Sequence, residues 1–141
     1  MSYSVLPAGE AFWRPSNMLG TLNTDLAKQL GAETLGARLW RLRPGEFSTR
    51  HRHFQTHELY LVLEGEGRMR VGEDSLVLPR LSAVLVSPDE PRQLFNDGEH
   101  EALWLVVGAP AEPANTLEMT EETLAALYPD GPRTPPPELA G

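Results

Sequence analysis

The sequence predicts an all-β fold, an antiparallel sandwich or barrel with a short helix towards each end. Three observations carry this. Short runs of β-type pattern follow one another from Leu35 to Val107, at Leu35–Leu42, Phe47–His53, Glu58–Leu63, Gly67–Val71, Ser75–Leu78, Ala83–Val86, Arg92–Phe95 and Ala102–Val107. Turn-forming residues separate most of them: Pro44-Gly45, Gly65, Gly72-Glu73-Asp74, Pro79, Pro88-Asp89 and Asn96-Asp97-Gly98. No helical period interrupts the series, so parallel β-α-β crossovers are excluded.

The flanks read differently. Ser2 to Pro15 reads as an irregular arm with aromatic anchors Tyr3, Phe12 and Trp13. Asn23–Gly31 reads as a short helix, with a polar capping candidate before it and Gly31 at its stop. Thr120–Tyr128 reads as a second helix, capped by Thr120, with Glu121 and Glu122 suited to the first turn. Pro129-Asp130-Gly131-Pro132 ends it, and the proline-rich tail Arg133–Gly141 is expected to be extended or disordered. The expected division is 1–34 for arm and helix, 35–110 for the β domain, and 111–141 for the C-terminal helix and tail.

Two runs, Leu59–Leu63 and Ala102–Val107, are apolar on both faces. One face of each fills the core. The other must be covered by the arm or by a second copy of the chain, so a homodimer is expected.

Composition excludes several function classes. The chain has 141 residues and a net charge of −8, with pI near 4.9, which argues against nucleic acid or an anionic membrane as partner. There are no cysteines, so disulfides, thiolate metal sites and cysteine nucleophiles are ruled out. No apolar run has the length of a membrane span, and the first residues lack a signal-peptide pattern. The expectation is a cytoplasmic protein.

The stretch from Gly45 to Gly65 carries the chemistry. His51 and His53 stand two apart, and on a strand alternate residues share a face, so both imidazoles can point at one spot. Phe54-Gln55-Thr56 can turn the chain, and Glu58 can return on the neighbouring strand as a third ligand. Two histidines and one carboxylate suit Fe(II), Mn(II), Ni(II) or Zn(II), with open positions left over. Taken alone, His51 and His53 could instead be an exposed polar face beside Arg50 and Arg52.

The spacing resembles the first signature motif of the cupin superfamily: glycine, five residues, His-x-His, three or four residues, glutamate, six residues, glycine. Gly45, His51, His53, Glu58 and Gly65 match it. A gap of three would select His57, but the position of Gly65 selects Glu58, leaving His57 on the opposite face as a surface or interface residue. The resemblance runs to about Val107 and implies a small single-domain cupin of the cupin-2-like conserved-barrel type. The implied fold is a double-stranded β-helix, or jelly-roll barrel. The implied site is a divalent metal held by His51, His53 and Glu58, beside a small organic ligand. The implied chemistry is that of a dioxygenase, decarboxylase or isomerase.

The second cupin motif is only partly present. Pro88 and Asn96 match, Pro79-Arg80-Leu81 stands in place of Pro-Gly-Asp, and Arg92 occupies the position of the fourth ligand, a histidine. Arginine cannot coordinate a cation. Either three ligands hold the metal while Arg92 grips an anionic ligand, or Arg92 pairs with Glu58 and takes the metal's place. An Arg92–Glu58 pair marks the metal-free state, and a free Glu58 the metal-bound one. Arg92, Leu94 and Asn96 alternate on one face, which points Arg92 inward; a one-residue slip would make it a solvated edge charge. Tyr60 and Val62 follow Glu58 on the inward face and are expected to line the pocket. His100 lies in a turn and reads as a surface residue.

Overall fold

The computed structural model describes residues 2–141. The chain forms a six-stranded antiparallel sheet facing a three-stranded one. The strands are β1 (Trp13–Pro15), β2 (Leu22–Asp25), β3 (Gly36–Leu42), β4 (His57–Glu64), β5 (Gly67–Val71), β6 (Asp74–Leu78), β7 (Ala83–Val86), β8 (Arg92–Phe95) and β9 (Ala102–Ala109). The larger sheet runs β1-β2-β3-β9-β4-β7 and the smaller β6-β5-β8. The short helices are α1 (Leu26–Leu30) and α2 (Glu121–Leu127).

The core lies between the sheets. Leu42, Tyr60, Val62, Val86, Ala102, Trp104 and Val106 of the larger sheet meet Met69 and Leu94 of the smaller. These positions alternate along their strands with outward residues, the period-2 pattern of a sheet with one buried face. The packing is tight where β5 begins. A Cβ on Gly67 would stand 2.4 Å from Val62 Cγ2 and 2.6 Å from Trp104 Cζ2, so glycine lets the indole cross the core. Gly65 has a different reason. Its φ is +75°, and a Cβ there would meet the backbone oxygen of Glu101 at 2.5 Å.

Four elements depart from the sequence expectations. The arm is not wholly irregular: β1 and β2 extend the larger sheet beyond β3, in register from Trp13↔Thr24 to Asp25↔Arg38. The first helix is shorter than Asn23–Gly31, because Leu22–Asp25 is taken by strand pairing. Asp25 is the cap, accepting from Lys28 N at 2.9 Å, and Gly31 stops the helix at φ +79°.

Phe47–His53 is not a regular strand. It runs antiparallel to β8 with isolated bridges at Phe47↔Phe95 and His51↔Arg92. The ladder is broken because the Ser48 hydroxyl, not a backbone carbonyl, accepts from Leu94 N.

The tail is neither free nor disordered in form. Pro136 is fully buried, Gln93 Nε2 donates to Thr134 O at 2.9 Å, and Glu138 accepts from Arg70 and Ser75. This docking helps to bury β8 on both faces: Arg92 and Leu94 face inward, the tail covers Gln93, and the Arg68 guanidinium lies over the Phe95 ring.

On the outer face of the larger sheet, Leu59 and Leu85 are exposed. No helix among the described residues is long and apolar enough to cross a membrane.

Candidate metal centre

Three elements converge on one point. The segment before β4 brings His51 and His53, β4 brings Glu58 and Tyr60, and β8 brings Arg92. The bridge His51↔Arg92 fixes the relation of the first and third, with His51 N donating to Arg92 O at 3.0 Å and Arg92 N to His51 O at 2.9 Å. His53 N is held by Pro88 O at 2.7 Å. The register Glu58↔Gly108 sets the acid opposite a residue without a side chain. A Cβ there would crowd Thr56 Cγ2 at 2.7 Å and Glu58 Cγ at 3.3 Å.

One ligand atom each from His51, His53 and Glu58 lie within 4.8 Å of one another. The imidazoles stand edge to face, with centroids 5.0 Å apart. Each is oriented from behind. His51 Nδ1 faces Thr49 O at 3.2 Å, and His53 Nδ1 faces the carboxylate of Glu112 at 3.5 Å. The Nε2 atoms are the ones turned inward, 3.6 Å (His51) and 3.0 Å (His53) from Glu58 Oε1, each able to carry a hydrogen towards the carboxylate or a lone pair towards a metal. His53 Nε2 is buried and has no aligned hydrogen-bond partner. A buried ring nitrogen without a partner, beside a second imidazole and a carboxylate, is the donor set a divalent transition ion takes. The three residues fit a metal, and they form a potential divalent-metal site whose preferred ion is unspecified.

Glu58 is ionised. Burial alone would raise its pKa, but the adjoining imidazoles of His51 and His53 outweigh burial and hold it far below the usual carboxylate range. Tyr60 OH donates to Oε1 at 2.7 Å, and Arg92 NH1 donates to the same oxygen at 3.0 Å. The contacts with both imidazoles fall on Oε1 as well, and Oε2 takes none of them. The Tyr60 hydroxyl is fixed as a donor, because burial first and the Glu58 charge second push its pKa well above the ordinary value.

Arg92 is fully buried and is therefore no solvated edge charge. Its other amine donates to Ser87 O, and its Nε has no partner. The Arg92–Glu58 pair expected of a metal-free site is thus formed, yet both histidines also keep their ligand geometry. The guanidinium approaches Glu58 on one oxygen and leaves the other uncommitted, so the pair and the three-donor cluster coexist.

The remaining expected residues separate. Tyr60 reaches the cluster through its hydroxyl. Val62, two residues further in, is fully buried in the core beneath it. His57 is exposed on the side of β4 opposite Glu58, and His100 is exposed in its turn. Asn96, the matching residue of the second motif, is structural: its amide donates to Leu42 O and His100 O, and its oxygen accepts from Gly98 N.

Glu112 was not singled out in the sequence. It lies outside the motifs, and its partners are backbone amides more than fifty residues away. Tyr128, just after α2, also lies outside the motifs; its ring lies 6.3 Å from that of His51, a tertiary contact across more than seventy residues of chain.

Comparison with known proteins agrees with this fold. Residues 38–108 match the family described as Cupin domain. No curated protein matches the chain. Among solved structures, a sugar phosphate isomerase from a cupin superfamily, of Silicibacter pomeroyi, is 23% identical, with a TM-score of 0.69 over 77% of this chain and 76% of that one. A predicted oxalate decarboxylase of Thermotoga maritima is 20% identical, with a TM-score of 0.64 over 77% of this chain and 100% of that one. An uncharacterized conserved protein with a double-stranded beta-helix domain, from Klebsiella pneumoniae, is 20% identical, with a TM-score of 0.64 over 78% and 92%. At these identities the structures speak for the fold. The family match spans half of the chain and contains the His51, His53 and Glu58 cluster, and the chain belongs to the cupin superfamily as a small cupin-2-like member.

Proposed function

We propose that the protein binds a divalent transition metal through His51, His53 and Glu58, together with a small anionic organic ligand at the open coordination positions. The observation that carries this is the pair of rear-anchored imidazoles, whose inward nitrogens face one carboxylate oxygen. The metal supplies a Lewis acid to an oxygen of the bound ligand.

The residues of the chain set the ligand's charge. Arg92 neutralises Glu58, so a divalent ion adds an excess of positive charge that an anion completes. Two structural neighbours are named for acting on small anions, a sugar phosphate and oxalate, which supports the same ligand class here. Dioxygenase, decarboxylase or isomerase chemistry is the reaction class proposed. Arg92 and Tyr60 hold the acid in place, and Val62 closes the floor. A direct grip of Arg92 on the ligand requires its NH1 to leave Glu58. The sheets are proposed to close as a jelly-roll barrel spanning 35–110. The exposed Leu59 and Leu85 support a homodimer, which a monomer by light scattering at micromolar concentration would refute.

A second reading has its own observation. The 3.0 Å Arg92–Glu58 pair supports a metal-free barrel that binds a small molecule without catalysis. One experiment separates the two. The protein, purified without an affinity tag, is refolded with Fe(II), Mn(II), Ni(II) or Zn(II), and its metal content is measured. Stoichiometric uptake of one of them is expected. No uptake leaves the metal-free reading standing.

A further inference from the structure

We propose that Glu112 is a positioning residue of the metal centre, which fixes His53 as a ligand by accepting its Nδ1–H and by clamping the turn that joins His53 to Glu58. This inference rests on the metal reading given above. Glu112 lies outside the matched domain, in the segment after β9, yet its side chain is only 12% exposed.

The carboxylate is used completely. Oε1 accepts from the backbone amides of Gln55 and Thr56, the latter at 2.8 Å, and Oε2 accepts from Phe54 N at 3.3 Å and faces His53 Nδ1 at 3.5 Å. Successive amides aimed at one carboxylate form an anion-binding concavity of backbone, here filled by the chain's own side chain. Thr56 Oγ1 donates to Pro110 O at 2.7 Å and closes the same junction. The turn therefore cannot move without breaking contacts to residues 110 and 112.

The imidazole of His53 is held between two carboxylates, Glu112 behind and Glu58 in front. The rear carboxylate selects the tautomer with hydrogen on Nδ1, which leaves Nε2 as the donor atom and raises its basicity. His51 Nδ1 is placed by neutral groups instead, the Thr49 carbonyl at 3.2 Å and the Thr49 hydroxyl at 3.3 Å. The two ligands are therefore supported by different chemistry, with a carboxylate behind His53 alone.

Glu112→Gln tests the proposal with little change of shape. The amide oxygen can keep the Gln55 and Thr56 contacts, while the amide nitrogen confronts Phe54 N–H and His53 Nδ1–H, donor against donor. Two readouts are needed. In metal-free protein, imidazole ¹⁵N spectra report the tautomer of each histidine. With Co(II) as probe, titration reports affinity and the visible spectrum reports ligand field.

The expected result is loss of the Nδ1–H tautomer at His53 alone, Co(II) affinity lower by about 10–100-fold, and a shifted spectrum. Glu112→Asp should recover part of each. Unchanged tautomer and unchanged affinity in a folded Glu112→Gln protein overturn the proposal. If Glu112→Gln does not fold, the wild-type ¹⁵N spectrum decides: hydrogen on Nε2 of His53 overturns it. If wild-type protein takes up no Co(II), the metal reading falls, while the tautomer readout still decides whether Glu112 orients His53.

Discussion

At the scale of the residue, the ligand set was legible because it is local. His51, His53 and Glu58 lie within eight positions, and strand alternation together with one turn is enough to converge them. Two variants separate ligand from neighbour. His51→Ala should abolish metal uptake, and His57→Ala should leave it intact, since His57 is exposed on the far side of β4; metal analysis of both proteins checks this. Loss of metal in His57→Ala would mean that the wrong third ligand has been assigned.

Arg92→His offers a sharper test, because its two effects oppose each other. The metal-free protein should lose about 3 kcal/mol, the scale for removing one partner of a buried charge pair, as Ser87 O and Glu58 lose their donor. Metal affinity should rise by about 10–100-fold, as a third imidazole enters as a fourth ligand and a fixed positive charge departs. Denaturant melts with and without metal read both effects. Affinity that does not change would place residue 92 outside the reach of the ion. Glu112 was not legible at this scale: nothing in the order of residues tells which acid a row of backbone amides will recruit from across the fold.

At the scale of the element, the strands of the two sheets were mostly readable from alternation and turn residues, and the exceptions have local causes. The segment 47–53 carries a strand pattern, but its ladder is interrupted where a serine hydroxyl substitutes for a carbonyl. The arm hides β1 and β2, since strands of three and four residues are too short to show a period. The first helix is shorter than the expected Asn23–Gly31 because its first residues pair with β3 as a strand, a long-range choice that local capping signals do not carry. Strand β5 makes the most exacting demand on its neighbours. Gly67→Ala should destabilise the fold by roughly 1–3 kcal/mol, because the new methyl is forced against Val62 and Trp104 with no open side to relax into. Urea unfolding measures it, and a neutral substitution would mean that the core is looser than these contacts require.

At the scale of the whole molecule, the C-terminal segment is the part that composition misled. Proline-rich sequence has no ladder of its own to make, but it can still be held by side chains of the surface it crosses. Here Pro136 is buried, Gln93 grips the backbone of Thr134, and Glu138 bonds Arg70 and Ser75. Truncation after Gly131 should therefore lower the midpoint of thermal unfolding by several degrees, on the order of 1–3 kcal/mol for the burial and hydrogen bonds lost.

The attachment should also depend on pH. Burial tends to raise the pKa of Glu138, but the hydrogen bonds from Ser75 and Arg70 prevail and leave it lowered. A depressed acid contributes fully above its unfolded pKa and loses that contribution as pH falls through the folded value. The protection factor of the Leu139 amide, which donates to Pro136 O, should fall in that acidic window once the intrinsic exchange rate is corrected for pH, and Glu138→Gln should remove the dependence. Exchange that ignores both pH and the substitution would show that the tail is held by Pro136 alone.

Placement of Trp104 has a practical consequence. Its indole is fully enclosed, and its ring centre lies 6.3 Å from that of Tyr60, whose hydroxyl touches the carboxylate of Glu58. The molecule therefore carries its own optical reporter. Iron, nickel and cobalt ions arriving at the cluster should quench the Trp104 share of an emission that Trp13 and Trp40 also feed, while closed-shell zinc should leave it bright, so that loading by an open-shell ion can be followed in a cuvette without any dye.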